Sequence, residues 1–163
     1  MELWDILDES GRPTGRTIAR GDRLKPGEYY LAVHIWIVNG KGEYLIQKRD
    51  NEKPLWPGMW AATGGAAIAG ETGMEAALRE VEEELGIRPD PKRMELLARI
   101  KREDFFTDIW LMRQEIDLDD IVMQQGEVCA VRWASREEIE QLVGSGEFVN
   151  YRYLKSFLRG LQL

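Results

Sequence analysis

The sequence predicts an α/β fold in which a mixed β-sheet packs against helices. Two observations support this fold class. Strand patterns occur before, between and after helix patterns along the chain, and many neighbouring strands are joined by tight turns. In addition, the 163 residues contain no repeat, low-complexity run or long linker, so we expect residues 1–163 to form a single domain of ordinary size.

The predicted strands are runs rich in β-branched and aromatic residues that end at Gly, Pro, Asn or Asp. Strands 30–38 and 43–49 are expected to form a hairpin around the turn Asn39-Gly40-Lys41-Gly42. Residues 53–65 are rich in Pro and Gly, so we expect mostly loop there, with a short strand at 60–62. The remaining predicted strands are residues 1–7, 13–19, 94–102, 105–116 and 127–133.

Two of the three predicted helices begin at a recognisable cap. Thr72 with Glu75 three residues later has the pattern of a capping box, and Gly86 is placed to end that helix after Leu85. Ser135 with Glu138 predicts a second capping box and a second helix. The last helix is predicted over residues 150–159.

Composition and charge exclude several classes of protein. A net charge of −7 argues against a protein that grips a nucleic-acid polymer by its phosphates. No apolar run approaches the roughly 20 residues of a membrane span, and residues 1–8 lack the pattern of a signal peptide. The single cysteine, Cys129, fits a reducing compartment, so we expect a cytoplasmic protein in which Cys129 is a packing residue.

Three glutamates on the first predicted helix stand out. Glu80, Glu83 and Glu84 are spaced i, i+3 and i+4, which places them within about a 100° arc, away from the apolar stripe of the same helix. Most such runs are solvated acidic faces. Here, however, the glycine-rich segment Thr63-Gly64-Gly65 precedes the helix and can bring backbone carbonyls close to an ion. An all-oxygen ligand set favours a hard cation, Mg²⁺ with Mn²⁺ also possible, that bridges to substrate phosphates.

The same residues match the signature of the Nudix hydrolase family. That signature is Gly, five residues, Glu, seven residues and then Arg-Glu-aliphatic-x-Glu-Glu-x-Gly-aliphatic. Every specified position is filled here, by Gly65, Glu71 and Arg79-Glu80-Val81-Glu82-Glu83-Glu84-Leu85-Gly86-Ile87. A chance match is on the order of one in a million by residue frequencies.

The resemblance implies a Nudix-type α/β/α sandwich and a role for each matched residue. Glu83 and Glu84 would be metal ligands, helped by a carbonyl of Gly64 or Gly65. Glu80 would bind metal or help to activate water. Glu71 and Arg79 would support the loop and helix. Because relatives often add a carboxylate from outside this motif, Glu127 is a further catalytic candidate, with a surface glutamate as the equally weighted alternative.

Seven further residues are candidates for contact with substrate. Lys48 and Arg49 end a strand near the glycine-rich segment and could bind phosphate, or form salt bridges instead. Phe105, with Trp56, Trp60 and Phe106, could stack on a nucleobase, although aromatic residues beside strands are more often core. His34, within a predicted strand, is expected to be a structural residue unless it faces the cleft.

Beyond the signature, residues 3–135 resemble isopentenyl-diphosphate isomerases and the hydrolases nearest to them. An isomerase needs a cysteine just after the tryptophan of the Pro-Gly-x-Trp segment, but here Trp60 is followed by Ala61-Ala62-Thr63. The resemblance therefore favours a pyrophosphohydrolase acting on a small-molecule diphosphate, by default a nucleoside diphosphate derivative, with a prenyl diphosphate also possible by kinship. The isomerase and a non-catalytic nucleotide-binding module remain as alternatives, and both a monomer and a homodimer remain open.

Overall fold

The computed structural model describes all residues from Met1 to Leu163. A two-stranded sheet is formed near the N-terminus, and a seven-stranded mixed sheet forms the centre of the molecule. The strands are β1 (Leu3–Leu7), β2 (Pro13–Ala19), β3 (Tyr30–Val38), β4 (Tyr44–Arg49), β5 (Trp60–Ala61), β6 (Thr63–Ala66), β7 (Met94–Lys101), β8 (Phe105–Arg113) and β9 (Val128–Ala134). The helices are α1 (Gly73–Leu85), α2 (Arg136–Gly144) and α3 (Leu154–Leu158), with 3₁₀ turns at Pro91–Arg93 and Leu118–Asp120.

Strand β3 is the central strand of the large sheet. It pairs in parallel with β8 along its whole length, from Tyr30 opposite Phe105 to Val38 opposite Arg113. The other edge of β3 pairs with two strands, both antiparallel. Strand β4 pairs with the C-terminal end of β3, and β6 pairs with residues 32–35. Strand β9 lies on the far side of β4. These pairings make the sheet mixed, as the sequence predicts.

The two faces of the sheet carry separate cores. Val33, Ile35 and Ile37 of β3 point to one face and pack with the apolar stripe of α1, which includes Val81 and Leu85. Trp36 and Ile46 point to the other face and pack with residues of α2, α3 and the segment between them. Alternation along β3 is what separates the two sets. The result is the predicted α/β/α sandwich.

Helix α1 has the predicted limits. Thr72 and Glu75 form both bonds of a capping box, and the left-handed backbone of Gly86, with φ of 66°, ends the helix. The second capping box is only half formed, because Ser135 accepts from the N–H of Glu138 while the Glu138 side chain pairs with Arg132.

Two predictions were wrong. Residues 63–65, expected to be loop, form part of strand β6, because β3 and β4 diverge and leave an edge of β3 free to pair with them. The last helix spans only Leu154–Leu158, since residues 150–153 form a turn that carries Tyr151 and Tyr153 against the sheet. No helix is long and apolar enough to cross a membrane.

Candidate active site

Helix α1 and strand β6 together border a polar cleft of about 280 Å³, which we call the carboxylate cleft. Its acidic lining is Glu80, Glu83 and Glu84 of α1, which the apolar stripe of the helix turns toward β6 rather than into the core. Glu80 and Glu84 are buried, at 8% and 7% exposure, whereas Glu83 is exposed. The remaining lining residues are Glu2, Arg20, Arg49, Lys53, Gly64, Gly65, Ala66, Arg79, Gln124 and Glu127.

Burial sets the electrostatics of the two inner glutamates. Glu84 accepts from Nε2 of Gln47 at 2.7 Å and from the N–H of Gly64 at 3.4 Å. Burial, with the nearby charge of Glu80, nevertheless raises the pKa of Glu84 to about 8. Burial also raises the pKa of Glu80, against the opposing effect of Arg79. Glu84 therefore favours its protonated form at neutral pH, and a bound cation would favour its ionised form.

Arg79 ties the helix to the segment that precedes it. Its guanidinium donates to Glu71 through Nε at 2.6 Å and Nη2 at 3.0 Å, and Nη2 also donates to the carbonyl of Ala66 at 3.0 Å. Nη1 reaches Glu80 at 2.9 Å and Glu83 at 3.1 Å. These contacts join α1 to Glu71 and Ala66 in the segment before it.

Glycine allows the backbone of β6 to approach the glutamates. A Cβ at Gly65 would lie 2.8 Å from Oε2 of Glu80 and closer still to Oε1, so any larger residue would displace that carboxylate. Gly64 donates its N–H to Glu84 from the same stretch. The two glycines therefore lie beside the carboxylates of Glu80 and Glu84.

The donor set fits a hard divalent cation, because every candidate ligand is an oxygen and two of the carboxylates are buried. The side chains do not form a closed ligand cage: no three acidic, imidazole or thiol groups converge on one point. Arg79 instead holds Glu80 and Glu83, and Gln47 holds Glu84. Metal binding at this site would thus exchange these hydrogen bonds for metal–oxygen bonds.

Glu127 reaches the cleft from outside the helix. It immediately precedes β9, which pairs with β4, and its carboxylate forms an ion pair with Lys53 of the loop that follows β4. Pairing of β9 with β4 thereby brings Glu127 to the same cleft as Glu84, although the two are far apart in the sequence.

The structure separates the predicted substrate contacts. Arg49 lines the carboxylate cleft, but Lys48 lines neither this cleft nor the one described next, because alternation along β4 turns it to the other side from Gln47. Sequence reasoning missed Gln47 and Lys53. Gln47 begins the polar stretch Gln47-Lys48-Arg49 and, like Lys53, has no local signal that distinguishes it.

A second cleft, of about 410 Å³, lies on the face of the sheet opposite α1, and we call it the aromatic cleft. It receives Phe105, whereas Phe106 is core, at 5% exposure, and Trp60 packs beside the core of this face. Its lining residues are Tyr30, Ala32, His34, Leu55, Trp56, Arg102, Glu103, Phe105, Thr107, Val149, Asn150, Tyr151, Arg152 and Tyr153.

His34 has both a structural bond and a place in this lining. Its Nδ1 is 2.7 Å from the hydroxyl of Tyr153, which also accepts from Nε1 of Trp36 at 3.1 Å. Burial lowers the pKa of His34 to about 4, so the ring is neutral at physiological pH.

Cys129, expected to be a packing residue, is exposed, because it points away from the sheet core on β9.

Comparison with known proteins places this chain among a large group of relatives. A family model described as NUDIX domain matches residues 28–157. A Nudix hydrolase of Listeria monocytogenes is 43% identical over 94% of this chain and 92% of its own length. An isopentenyl-diphosphate Delta-isomerase of Corynebacterium diphtheriae is 33% identical over 55% of this chain and 50% of its own length.

Solved structures agree on the fold. The crystal structure of DR0079 from Deinococcus radiodurans has a TM-score of 0.80 and 22% identity, covering 99% of this chain and 100% of that one. The NUDIX domain of NrtR from Shewanella oneidensis, complexed with ADP ribose, has a TM-score of 0.58 and 16% identity, covering 80% and 84%. At these identities the similarity establishes the architecture alone.

Proposed function

This chain belongs to the Nudix hydrolase family, and from that premise we propose that it is a Mg²⁺-dependent pyrophosphohydrolase that cleaves a diphosphate linkage in a nucleoside diphosphate derivative. The observation that carries the proposal is the carboxylate cleft. Two buried glutamates with raised pKa values lie there beside an exposed third glutamate and a set of basic side chains. Such a site suits a polyphosphate only when a cation lies between phosphate and carboxylate.

Each group in the cleft has a task in this proposal. Glu80, Glu83 and Glu84, with a carbonyl of Gly64 or Gly65, would hold Mg²⁺, and Mn²⁺ fits the same oxygen donors. When bound, the metal ion would neutralise phosphate charge and make a water molecule more acidic. Arg79 holds Glu80 and Glu83 through Nη1, while its Nε and Nη2 donate to Glu71 and to the Ala66 carbonyl.

Basic residues opposite the glutamates would bind the substrate phosphates. Arg49 and Lys53 line the cleft from β4 and the following loop, and Arg20 lines it from the N-terminal hairpin. Lys53 is paired with Glu127, and the substrate would compete for that lysine. Once separated from Lys53, Glu127 would be free to accept the proton of the water that attacks phosphorus. The attack forms one P–O bond and breaks the bridging P–O bond.

The alternative activity, isomerisation of an isopentenyl diphosphate, lacks its chemistry in this cleft. Isomerisation moves a proton to and from carbon and needs an acid and a base beside an alkene. The only cysteine, Cys129, lies on β9 and lines neither cleft, and residues 60–65 contain no cysteine or histidine. The acidic residues expected for hydrolysis are all at the carboxylate cleft.

A phosphate-release screen tests the proposed function. Nucleoside di- and triphosphates, nucleotide sugars and prenyl diphosphates would each be incubated with the purified chain and Mg²⁺, Mn²⁺ or EDTA. We expect phosphate-containing products from at least one nucleotide, with Mg²⁺ required. Binding of nucleotides without turnover under any metal condition would instead identify a non-catalytic module, and conversion of a prenyl diphosphate to its isomer without phosphate release would identify an isomerase.

A further inference from the structure

The N-terminal hairpin of β1 and β2 lies outside residues 28–157, which match the family model, yet it reaches the carboxylate cleft. Glu2 and Arg20 flank its open end, where the N–H of Arg20 donates to the carbonyl of Glu2 at 2.9 Å. Both residues line the cleft, and their side chains form an ion pair at 3.4 Å, which we call the hairpin pair. The N–H of Ala69 donates to the carbonyl of Leu3 at 2.8 Å and so fixes this end of the hairpin beside the segment that follows β6.

The hairpin pair lies at the Glu80 end of the cleft. Gly65 of β6 lies against Glu80, and the chain continues from Gly65 to Ala69, where the hairpin is attached. The charge of Glu2 is also among the influences that raise the pKa of Glu80, after burial as the largest. A charge acts on a pKa in this way only from nearby. Both observations place the hairpin pair next to Glu80.

The other basic residues of the cleft lie at the Glu84 end. Gln47 of β4 donates to Glu84, and Arg49 ends the same strand. Lys53 follows that strand and pairs with Glu127. The charge of Glu127 is among the influences that raise the pKa of Glu84, after burial as the largest. Arg49 and Lys53 are therefore separated from the hairpin pair by the row of glutamates on α1.

Basic groups thus flank the glutamate row on both sides. Glu80 and Glu84 are one helical turn apart, about 6 Å along the axis. Arg79, within the row, is occupied by its bonds to the glutamates and to the segment before the helix. A diphosphate held over the row by a metal ion fills the space between the two basic ends. A phosphate chain that meets both Lys53 and Arg20 therefore needs at least one more phosphate group.

Arg20 is available to bind such a group. Its guanidinium makes a single side-chain contact, the 3.4 Å bond of the hairpin pair, and the side chain is 60% exposed. Exposed pairs of this kind contribute little free energy, so a phosphate can compete with Glu2 for the guanidinium. Glu2 keeps its place without Arg20, because its Oε1 accepts from Nε1 of Trp4 at 2.8 Å. The planar guanidinium matches two phosphate oxygens at once.

We infer that Arg20 is a specificity-determining residue that binds a third phosphate group, beyond the diphosphate held at the glutamates. Substrates with three or more consecutive phosphates are then preferred to substrates with two. The inference rests on the proposed function in that Mg²⁺ and the glutamates hold the diphosphate. It can nevertheless be measured without cleavage, because phosphonates with carbon in place of the bridging oxygen are not hydrolysed.

Calorimetric titration with two phosphonates that carry no base tests the inference. Methylenediphosphonate has two phosphorus groups, and bis(phosphonomethyl)phosphinate has three. Each would be titrated into the full chain at the same excess of Mg²⁺, and we expect the longer probe to bind at least about tenfold more tightly. Arg20→Gln should weaken binding of the longer probe about tenfold and of the shorter probe by less than about twofold. Arg20→Lys, which keeps the charge, should recover part of the lost affinity.

Two further variants act as controls. Arg16 lies on β2 of the same hairpin, is 58% exposed and has one ion pair, with Glu28, but it does not line the cleft. Arg16→Gln should therefore leave the affinity for both probes within about twofold. Glu2→Gln removes the competitor of the phosphate and should strengthen binding of the longer probe about threefold. Such a gain cannot result from damage to the fold.

The outcomes separate this inference from the proposed function. Equal affinity of the unaltered protein for the two probes, binding of neither probe, or equal effects of Arg20→Gln and Arg16→Gln would overturn the role of Arg20. If Arg20 discriminates between the probes while no anhydride is hydrolysed, the proposed function fails and the role of Arg20 stands. If anhydrides are hydrolysed with Mg²⁺ and Arg20→Gln does not change the KM for a nucleoside triphosphate, the role of Arg20 fails and the proposed function stands.

Discussion

At the scale of single residues, the site depends on glycines as much as on glutamates. Gly65→Ala would push the Glu80 carboxylate out of its place, because the added Cβ meets both of its oxygens. Glu80 is the end of a flexible side chain that can move, so we expect the unfolding free energy to change by less than about 1 kcal/mol. Turnover should fall about 100-fold, since a displaced ligand or proton acceptor no longer meets the reacting groups.

Gly144→Ala is the matched control for that variant. Gly144 ends α2, has an ordinary backbone conformation and has open space where a Cβ would go. Steady-state kinetics and urea unfolding of both variants make the comparison. Unaltered turnover in Gly65→Ala would show that close approach of β6 to Glu80 is not needed for the reaction.

Tyr153 gives a pH-dependent prediction at the same scale. Its hydroxyl is buried among Trp36, His34 and Tyr151, and burial raises its pKa well above the usual value near 10, more than Arg102 lowers it. Below pH 10 the phenol is protonated in both states and contributes no pH dependence. Above pH 10 the unfolded chain loses this proton first, so the folded state binds more protons and the unfolding free energy falls as pH rises.

Tyr153→Phe isolates this effect. At pH 8 the variant should be less stable by about 1–3 kcal/mol, because the N–H of Trp36 loses a buried acceptor. Between pH 10 and 11 it should lose less stability than the unaltered protein. Urea unfolding at pH 8, 10 and 11 measures both differences, and parallel loss in the two proteins above pH 10 would refute the assignment.

The sequence identifies most of the residues of the site, but it does not show which of them are buried and which are exposed. Glu80, Glu83 and Glu84 are recognisable from spacing, and their distance from Gly65 identifies the family. Glu80 and Glu84 are buried because strand β6 and Gln47 of β4 lie close to them, whereas Glu83 is exposed. Those contacts arise from the pairing of strands, which cannot be deduced from the spacing of residues along one helix.

At the scale of elements, Arg79 is the connection between α1, the loop before it and β6. Lys in its place has the charge but lacks the planar fork that serves Glu71 and the Ala66 carbonyl together. Arg79→Lys should lower the unfolding free energy by about 1–3 kcal/mol and reduce turnover, because the loop and the glutamates lose their common anchor.

Thermal unfolding and steady-state kinetics of Arg79→Lys test this connection. Arg88→Lys is the matched control, since Arg88 is exposed beyond the end of α1 and belongs to no ion pair. Equal thermal stability of the two variants would contradict the anchoring role.

Elements whose limits are marked by residues within their own segment were predicted well. Elements that depend on contacts with other segments were not. Helix α1 has its cap, its stripe and its terminating glycine within one segment, so its limits followed from sequence. Strand β6, by contrast, has two glycines and little strand propensity, and it exists because an edge of β3 is available. Helix α3 is shorter than expected because Tyr151 and Tyr153 pack on the sheet from a turn.

At the scale of the molecule, the site combines segments that are distant in sequence. Glu127 and Lys53 meet through the β4–β9 pairing, and Tyr151 approaches the loop of Trp56 through the C-terminal segment. The sequence predicts the sandwich from the order of its elements, but the parallel β3–β8 pairing and the position of β9 require contacts that no local pattern records. Glu127 was a candidate only through the resemblance to the family, and Lys53, which had no such support, was missed.

The cluster of carboxyl groups in the carboxylate cleft predicts that divalent ions stabilise the whole fold. If Mg²⁺ binds at the carboxylate cleft, the unfolding free energy should rise by about 2.7 kcal/mol when the ion is present at about 100 times its Kd. The melting temperature should therefore be several degrees higher in Mg²⁺ than in EDTA. Equal melting temperatures at millimolar Mg²⁺ would mean that the cleft does not bind the ion.

The most direct test of the account is Mg²⁺-dependent turnover in Glu83→Gln compared with Glu82→Gln. These neighbouring residues lie on the same exposed stretch of α1, but Glu83 lines the carboxylate cleft and Glu82 does not. We expect Glu83→Gln to lose at least about 100-fold in kcat with its fold intact, because an amide is a poor ligand for a hard cation. Glu82→Gln should keep kcat within about twofold of the unaltered protein. Full Mg²⁺-dependent turnover in Glu83→Gln, or equal losses in both variants, would contradict the assignment of this cleft as the catalytic metal site.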